Sequence, residues 1–159
     1  MNKEIKISLE ELKSKNIIYI NNIQEGFNKY PNCIIEGTED YVNNFIRKLV
    51  KINGLENSYG DFYYGRLKET EKDKIKAVLD ENEVNFIESI KLGKDDTFVR
   101  LNYELLEILL KLTAKEILFS SFYFTKYPSL IWGNYETKYP MFFKDEDIKN
   151  IIMNEILYA

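Results

Sequence analysis

The sequence predicts an α+β fold in a single domain, with a mainly antiparallel sheet of about five strands packed by four to six helices. Helix-like and strand-like segments follow one another irregularly, without the regular alternation of β-α-β units. Two β-prone runs near the C-terminus flank Gly133-Asn134, which indicates an antiparallel hairpin. A chain of 159 residues with 45% hydrophobic residues has the size and composition of one globular domain over 1–159.

The first half of the chain contains two clear helix starts. Ser8 with Glu11 forms a capping box, and Thr38 precedes a long amphipathic run that ends at Gly54. The apolar and turn-forming residues between these helices predict strands and a loop. The predicted elements are a helix over 8–15, a strand over 17–20, a loop over 21–32, a strand over 33–36 and a helix over 39–53.

The second half begins with a short β-prone stretch and continues with more helices. The run over 103–115 is apolar on more than one face, so it predicts a central buried helix. Asp145 predicts the N-cap of a final helix. The remaining predicted elements are an extended segment over 61–66, helices over 70–80 and 84–92, an extended segment over 97–101 and an interior strand over 117–124.

All three prolines end a Lys-Tyr-Pro tripeptide, and the last two copies lie twelve positions apart. A two-residue turn at Gly133-Asn134 would place Tyr127 opposite Pro140, so that these two Tyr-Pro steps lie against each other. This predicted register puts an apolar group on one face of the hairpin: Leu130, Trp132, Tyr135 and Tyr139.

Three interpretations of this aromatic hairpin are open. It covers the protein's own core, or it presents a partner-binding tip, or it stacks nucleic-acid bases, which the absence of a basic groove disfavours. The candidate partner-binding residues are Tyr127, Trp132, Asn134, Tyr135, Glu136 and Tyr139.

The amino-acid composition argues against most classes of enzyme. With no histidine, the sequence lacks the commonest general base, zinc ligand and partner of a nucleophile. Cys33 lies in an apolar run and predicts a buried, inert thiol. We find no phosphate loop or dinucleotide motif and predict no catalytic residue, cofactor or metal. Acidic groups at 36–40, 95–96 and 145–147 fit helix starts and a turn.

The charge and hydropathy of the chain indicate where the protein acts and what kind of partner it binds. The net charge of -4 and a pI near 5.1 favour a basic protein partner over a nucleic acid. The chain lacks an apolar run long enough for a membrane span, and residues 1–6 lack one typical of a secretion signal, so we expect a cytoplasmic protein without membrane contact.

The sequence therefore predicts a small, acidic, non-catalytic binding protein. Its hypothesised role is that of an immunity or inhibitor protein, which neutralises a basic partner such as a nuclease toxin or a nucleic-acid effector. One alternative is a carboxylate-dependent enzyme that holds an anionic substrate with Arg66 or Arg100. The other is a self-associating module in which the hairpin builds a homodimer, and monomer and homodimer both remain open.

Overall fold

The computed structural model describes residues 4–157, and within them seven strands form one antiparallel sheet in the order β1-β4-β3-β5-β6-β7-β2. The strands are β1 (Lys6–Ile7), β2 (Asn32–Glu36), β3 (Ser58–Asp61), β4 (Phe98–Arg100), β5 (Ser121–Phe124), β6 (Ser129–Trp132) and β7 (Lys138–Phe143). The described residues also contain seven α-helices: α1 (Leu9–Lys13), α2 (Ile23–Lys29), α3 (Glu39–Asn53), α4 (Glu69–Val78), α5 (Glu81–Ile90), α6 (Tyr103–Ala114) and α7 (Glu146–Leu157). The predicted α+β class is confirmed, with more strands and helices than expected.

Neighbouring residues of a strand point to opposite sides of the sheet. Because apolar residues occupy both sets of positions in these strands, both faces of the sheet are apolar. Phe122, Ile131 and Met141 lie on one face, where they belong to a core built with helices α3 to α7. The central helix α6 fills much of this layer, as its apolar sequence predicts. This face is therefore covered by helices.

The opposite face is covered by the N-terminal segment 7–30. Its buried Leu12, Ile18 and Ile20 pack with Tyr123 and other sheet residues in a second core. Within α2, a Cβ added to Gly26 would lie 2.6 Å from the ring of Phe142, so this glycine allows the helix to approach the sheet closely.

Two predictions for the N-terminal segment are wrong. Residues 17–20 have no regular secondary structure and pair with no strand of the sheet, because they pack against its face as part of the second core. The predicted loop over 21–32 contains α2, whose N-terminus is capped by Asn22 through a 2.9 Å hydrogen bond from the backbone N–H of Glu25. Gly26, which suggested a loop, is a packing residue.

Two predicted strands are also displaced along the chain. The segment predicted over 61–66 forms β3 at Ser58–Asp61 and then a 3-10 turn at Tyr63–Arg66. The strand predicted over 117–124 begins at Ser121.

The predicted register of the hairpin between β6 and β7 is wrong. Ser129 lies opposite Phe143 and Ile131 opposite Met141, while the connection occupies residues 133–137. Gly133 does not turn, because its N–H donates to the carbonyl of Ser120 at 3.1 Å and extends the pairing of β6 with β5. The chain turns later, at Glu136 and Thr137, whose φ angles are 60° and 49°.

The Tyr-Pro steps therefore do not face each other. Pro31 and Pro128 directly precede β2 and β6, the two strands that flank β7. The Pro31 carbonyl accepts a hydrogen bond from the Phe143 N–H at 2.9 Å, and the Pro128 carbonyl accepts one from the Lys144 N–H at 3.1 Å. Two of the three prolines thus begin strands, at positions where a missing N–H is tolerated.

We expect Gly133→Ala to destabilise the fold, because the added Cβ would lie 2.3 Å from the backbone oxygen of Ser120. Overpacking of this kind costs about 1 to 3 kcal/mol in the free energy of unfolding, which urea denaturation would measure. The matched control is Gly93→Ala, where the nearest atom is a side-chain oxygen of Asp96 at 3.3 Å. Equal stability of the two variants would contradict the close approach at Gly133.

Candidate functional site

A cavity of about 180 Å³ lies on the face covered by the N-terminal segment. One cross-strand row of the sheet lines it, because Asp61 of β3 lies opposite Phe98 of β4, and Ser121 of β5 lies opposite Trp132 of β6. Six aromatic side chains contribute to the wall: Tyr19, Tyr63, Phe98, Phe119, Tyr123 and Trp132.

Asp61 places a carboxyl group in this aromatic cavity. It is the last residue of β3 and is only 4% exposed. Oδ1 accepts a hydrogen bond from the backbone N–H of Ser121 at 2.8 Å, and Oδ2 accepts one from the hydroxyl of Tyr123 at 3.2 Å. The strand register and these two donors hold the carboxyl group in place.

Burial raises the pKa of Asp61 to about 7, although the hydrogen bonds from Ser121 and Tyr123 act in the opposite direction. Among residues 4–157, no lysine or arginine forms an ion pair with this carboxyl group. Buried charges are normally paired, because removing an ion from water is costly. Asp61 therefore lacks an internal counter-ion in the described part of the chain.

Phenol and hydroxyl groups complete the polar part of the cavity. Burial, together with the charge of Asp61, raises the pKa of Tyr63 to about 12 and that of Tyr123 well above its ordinary value. The hydroxyl of Ser120 is buried and has no hydrogen-bond partner among the described residues, although its backbone N–H donates to Thr113 Oγ1 at 3.0 Å. Because Ser121 faces the cavity, the side chain of its neighbour Ser120 points to the helical face of the sheet. The polar groups of the cavity are therefore the Asp61 carboxyl group, the phenols and the hydroxyl of Ser121.

Four of the predicted partner-binding residues lie at or near this cavity. Trp132 lines it. Asn134, Tyr135 and Glu136 follow in the connection after β6, where Tyr135 is 61% exposed and its ring packs edge-on against Phe119 with 4.7 Å between centroids. Because Phe119 also lines the cavity, Tyr135 extends the aromatic surface outward. We call Trp132, Asn134, Tyr135 and Glu136 the rim.

Tyr127 and Tyr139 do not belong to the rim. Tyr127 lies in the turn between β5 and β6, at the opposite end of β6 from Trp132, and its N–H donates to Asn53 Oδ1 at 2.9 Å. Tyr139 is 1% exposed and lies in the core on the helical face. The predicted face shared by Trp132 and Tyr139 depended on the wrong register.

The two anion-contact candidates hold the chain together locally. Arg66 donates from Nε to the carbonyl of Lys94 at 2.9 Å. Arg100 pairs with Glu11 at 2.8 Å and donates to the carbonyl of Lys6 at 3.2 Å, which ties β4 to the N-terminus of the described chain. Neither arginine lines the cavity that contains Asp61.

Sequence reasoning missed Asp61 and the tyrosines that surround it. One signal was present, since Asp61 is a charged residue inside the otherwise uncharged, β-prone run 58–64. A carboxylate at an apolar strand position is unusual and indicates either a buried partner or a site. Its neighbours come from 19–21 and 119–123, which the sequence cannot bring together.

The described chain contains no group of three or more cysteine, aspartate or glutamate residues placed to hold a metal ion. Of the helices in residues 4–157, none has both the length and the apolar character needed to cross a membrane. No protein-family model, curated protein or solved structure matches this chain.

We expect the free energy of unfolding of Asp61→Asn to increase, relative to that of the wild type, as pH rises. Folded Asp61 keeps its proton up to a pKa of about 7, whereas the ordinary value is 3.8. The folded state binds more protons between these values, so wild-type stability falls as pH rises through this window. The stability difference should grow by up to roughly 4 kcal/mol and level off above about pH 7.

Urea denaturation of both proteins at several pH values measures this difference. The asparagine side chain of the variant retains the size of the aspartate and an acceptor for the Ser121 N–H. Asp95→Asn, at an exposed turn position, is the control and should show no comparable dependence. A difference that is independent of pH would contradict the burial of an unpaired carboxyl group.

Proposed function

We propose that this protein is a non-catalytic binding protein whose rim and cavity form the docking surface for a basic protein. The observation that carries the proposal is the Asp61 carboxyl group, which lies in an aromatic cavity with no cation of the described chain beside it. Aromatic residues are the usual anchors of protein interfaces, and an unpaired carboxylate recruits positive charge. Neutralisation of a nuclease toxin or a nucleic-acid effector is the role we propose.

The overall charge supports a basic partner. A net charge of -4 attracts a cationic protein over distance and accelerates encounter, particularly at low salt. At the rim, Glu136 is exposed, and its backbone N–H donates to the carboxylate of Glu116 at 3.1 Å. Lys138 pairs with Glu136 at 3.5 Å, so a partner cation would compete with an exposed lysine. Exposed pairs of this kind contribute little stability and exchange easily.

The two alternatives receive less support from the geometry. An enzyme acting on an anionic substrate needs a cation near its carboxylate, and neither Arg66 nor Arg100 lines the cavity with Asp61. A homodimer built on the hairpin loses two of the four apolar residues predicted for its face, because Leu130 and Tyr139 are buried by the chain itself. We propose a cytoplasmic setting, which a lone free cysteine supports.

We expect Trp132→Ala to accelerate dissociation of the partner. Loss of an aromatic anchor typically costs about 2 kcal/mol or more, which corresponds to roughly 30-fold in affinity, mostly through the off-rate. Affinity capture from the native cell lysate, followed by kinetic measurement on the captured protein, tests this. Tyr135→Ala is a second variant at an exposed position, so the test remains valid if Trp132→Ala lowers stability.

The matched control is Tyr103→Ala, because Tyr103 is 68% exposed at the start of α6 and does not line the cavity. Its partner affinity should equal that of the wild type. An acidic partner, or rim variants that bind as well as Tyr103→Ala, would refute the proposed function.

A further inference from the structure

We infer that the cavity receives the ammonium group of a lysine side chain, with Asp61 as its counter-ion. The inference rests on the proposed function for the source of the lysine, which is the basic partner. The binding chemistry itself depends only on the cavity and can be tested with small amines.

The size of the cavity favours a single side chain. A volume of about 180 Å³ is below the roughly 300 to 1,000 Å³ of pockets for drug-sized ligands. A cavity of about 150 Å³ is enough for one benzene-sized molecule. A four-carbon chain ending in an ammonium group falls within this size, whereas a nucleotide does not.

The polar atoms favour a primary ammonium over other cations. A lysine ammonium carries three N–H donors, and the cavity supplies compact acceptors in the Asp61 carboxylate and the hydroxyl of Ser121, which shares a face of the sheet with its strand partner Trp132. A quaternary ammonium has no N–H group and therefore cannot donate a hydrogen bond to the Asp61 carboxylate or the Ser121 hydroxyl. A guanidinium needs acceptors for five N–H groups, whereas the two Asp61 oxygens, which already accept one hydrogen bond each, can accept only about two more.

The aromatic wall favours a positively charged ligand over a neutral one. Cations are attracted to the faces of tyrosine and tryptophan rings, most strongly where water is excluded. Two lining rings already contact cations of the same chain, since Lys13 Nζ lies 4.4 Å from the Tyr19 centroid and Arg66 Cζ lies 5.8 Å from that of Tyr63. Neither cation lines the cavity, so the position beside Asp61 is left for a ligand.

The affinity for an amine should rise with pH as Asp61 loses its proton. The groups around it are the phenols of Tyr19, Tyr63 and Tyr123, together with Lys13 and Arg66, which contact the rings of Tyr19 and Tyr63. Burial raises the pKa of Tyr63 and of Tyr123 above the ordinary value, so these two phenols stay neutral between pH 5.5 and 8. With a pKa of about 7, Asp61 is about 3% ionised at pH 5.5, so affinity should be roughly 30-fold lower there than for the full carboxylate.

The experiment is a titration of the full chain with n-butylammonium, followed by NMR of the single tryptophan indole N–H, which reports on Trp132 directly. Matched probes are 1-butanol as the neutral analogue, tetramethylammonium and n-butylguanidinium. We expect saturable shifts with n-butylammonium at pH 8, a loss of affinity of roughly 30-fold at pH 5.5, and weaker or no binding of the other probes. Asp61→Asn should abolish binding, while Asp95→Asn should bind as the wild type does.

Several results would overturn the inference: no saturable shift with n-butylammonium, equal binding of 1-butanol, preference for the guanidinium or quaternary probe, or retained binding in a folded Asp61→Asn protein. Failure of the proposed function is distinguishable. If n-butylammonium binds as expected but no basic partner depends on the rim, the inference about the cavity is supported and the proposed function is refuted. If a basic partner depends on Trp132 but not on Asp61, the proposed function is supported and the inference about the cavity is refuted.

Discussion

The need to cover an apolar sheet on both faces determines the rest of this structure. Every residue of β3 and β5 is buried, and their side chains alternate between a helical core and a second core. Helices α3 to α7 cover one face. The other face depends on the N-terminal segment 7–30, which contributes two short helices and the irregular stretch between them. Without this segment, a large apolar surface would face water.

The N-terminal segment does not fill all the space over the sheet, and the cavity lies in the unfilled part at one end of the sheet. Tyr19, Ile20 and Asn21 border it from the covering segment, while the row from Phe98 to Trp132 borders it from the sheet. The side chain at position 61 points toward this cover, because its partner Phe98 belongs to the second core. An apolar residue there would complete the core, whereas aspartate leaves a carboxyl group without an ion-pair partner.

An unpaired buried carboxyl group lowers the free energy of unfolding at neutral pH. Natural proteins tolerate such costs mainly where activity or binding needs the group, and substitutions at such positions often stabilise the fold while removing function. The hydrogen bonds from Ser121 and Tyr123 offset only part of the cost, because desolvation remains the largest influence on the Asp61 pKa. A ligand cation would supply the missing counter-ion.

Local signals in the sequence predicted the elements that depend on local physics. The caps at Ser8, Thr38 and Asp145 each accept the expected backbone hydrogen bond, and the helices they begin are present. Predictions that needed tertiary contacts were wrong. Gly26 indicated a loop, but it allows α2 to contact Phe142.

The candidate site was predicted only in part, for the same reason. Trp132 was identified from its aromatic surroundings, but the hairpin register depends on the bond between Gly133 and Ser120, which no local pattern encodes. The properties of the Asp61 carboxyl group depend on its burial and on hydrogen bonds from Ser121 and Tyr123, which are distant in the sequence. The spacing of residues along the sequence does not predict these contacts.

The most direct test of the central claim is the ionisation of Asp61 itself. Carbon-13 NMR of the labelled side-chain carboxyl, followed from pH 4 to 9 without ligand, would report its pKa, with Asp61→Asn to assign the resonance. Burial without a counter-ion predicts a midpoint at about 7. A midpoint near the ordinary value of 3.8 would mean that the carboxyl group is solvated or paired, and would contradict the account of the cavity.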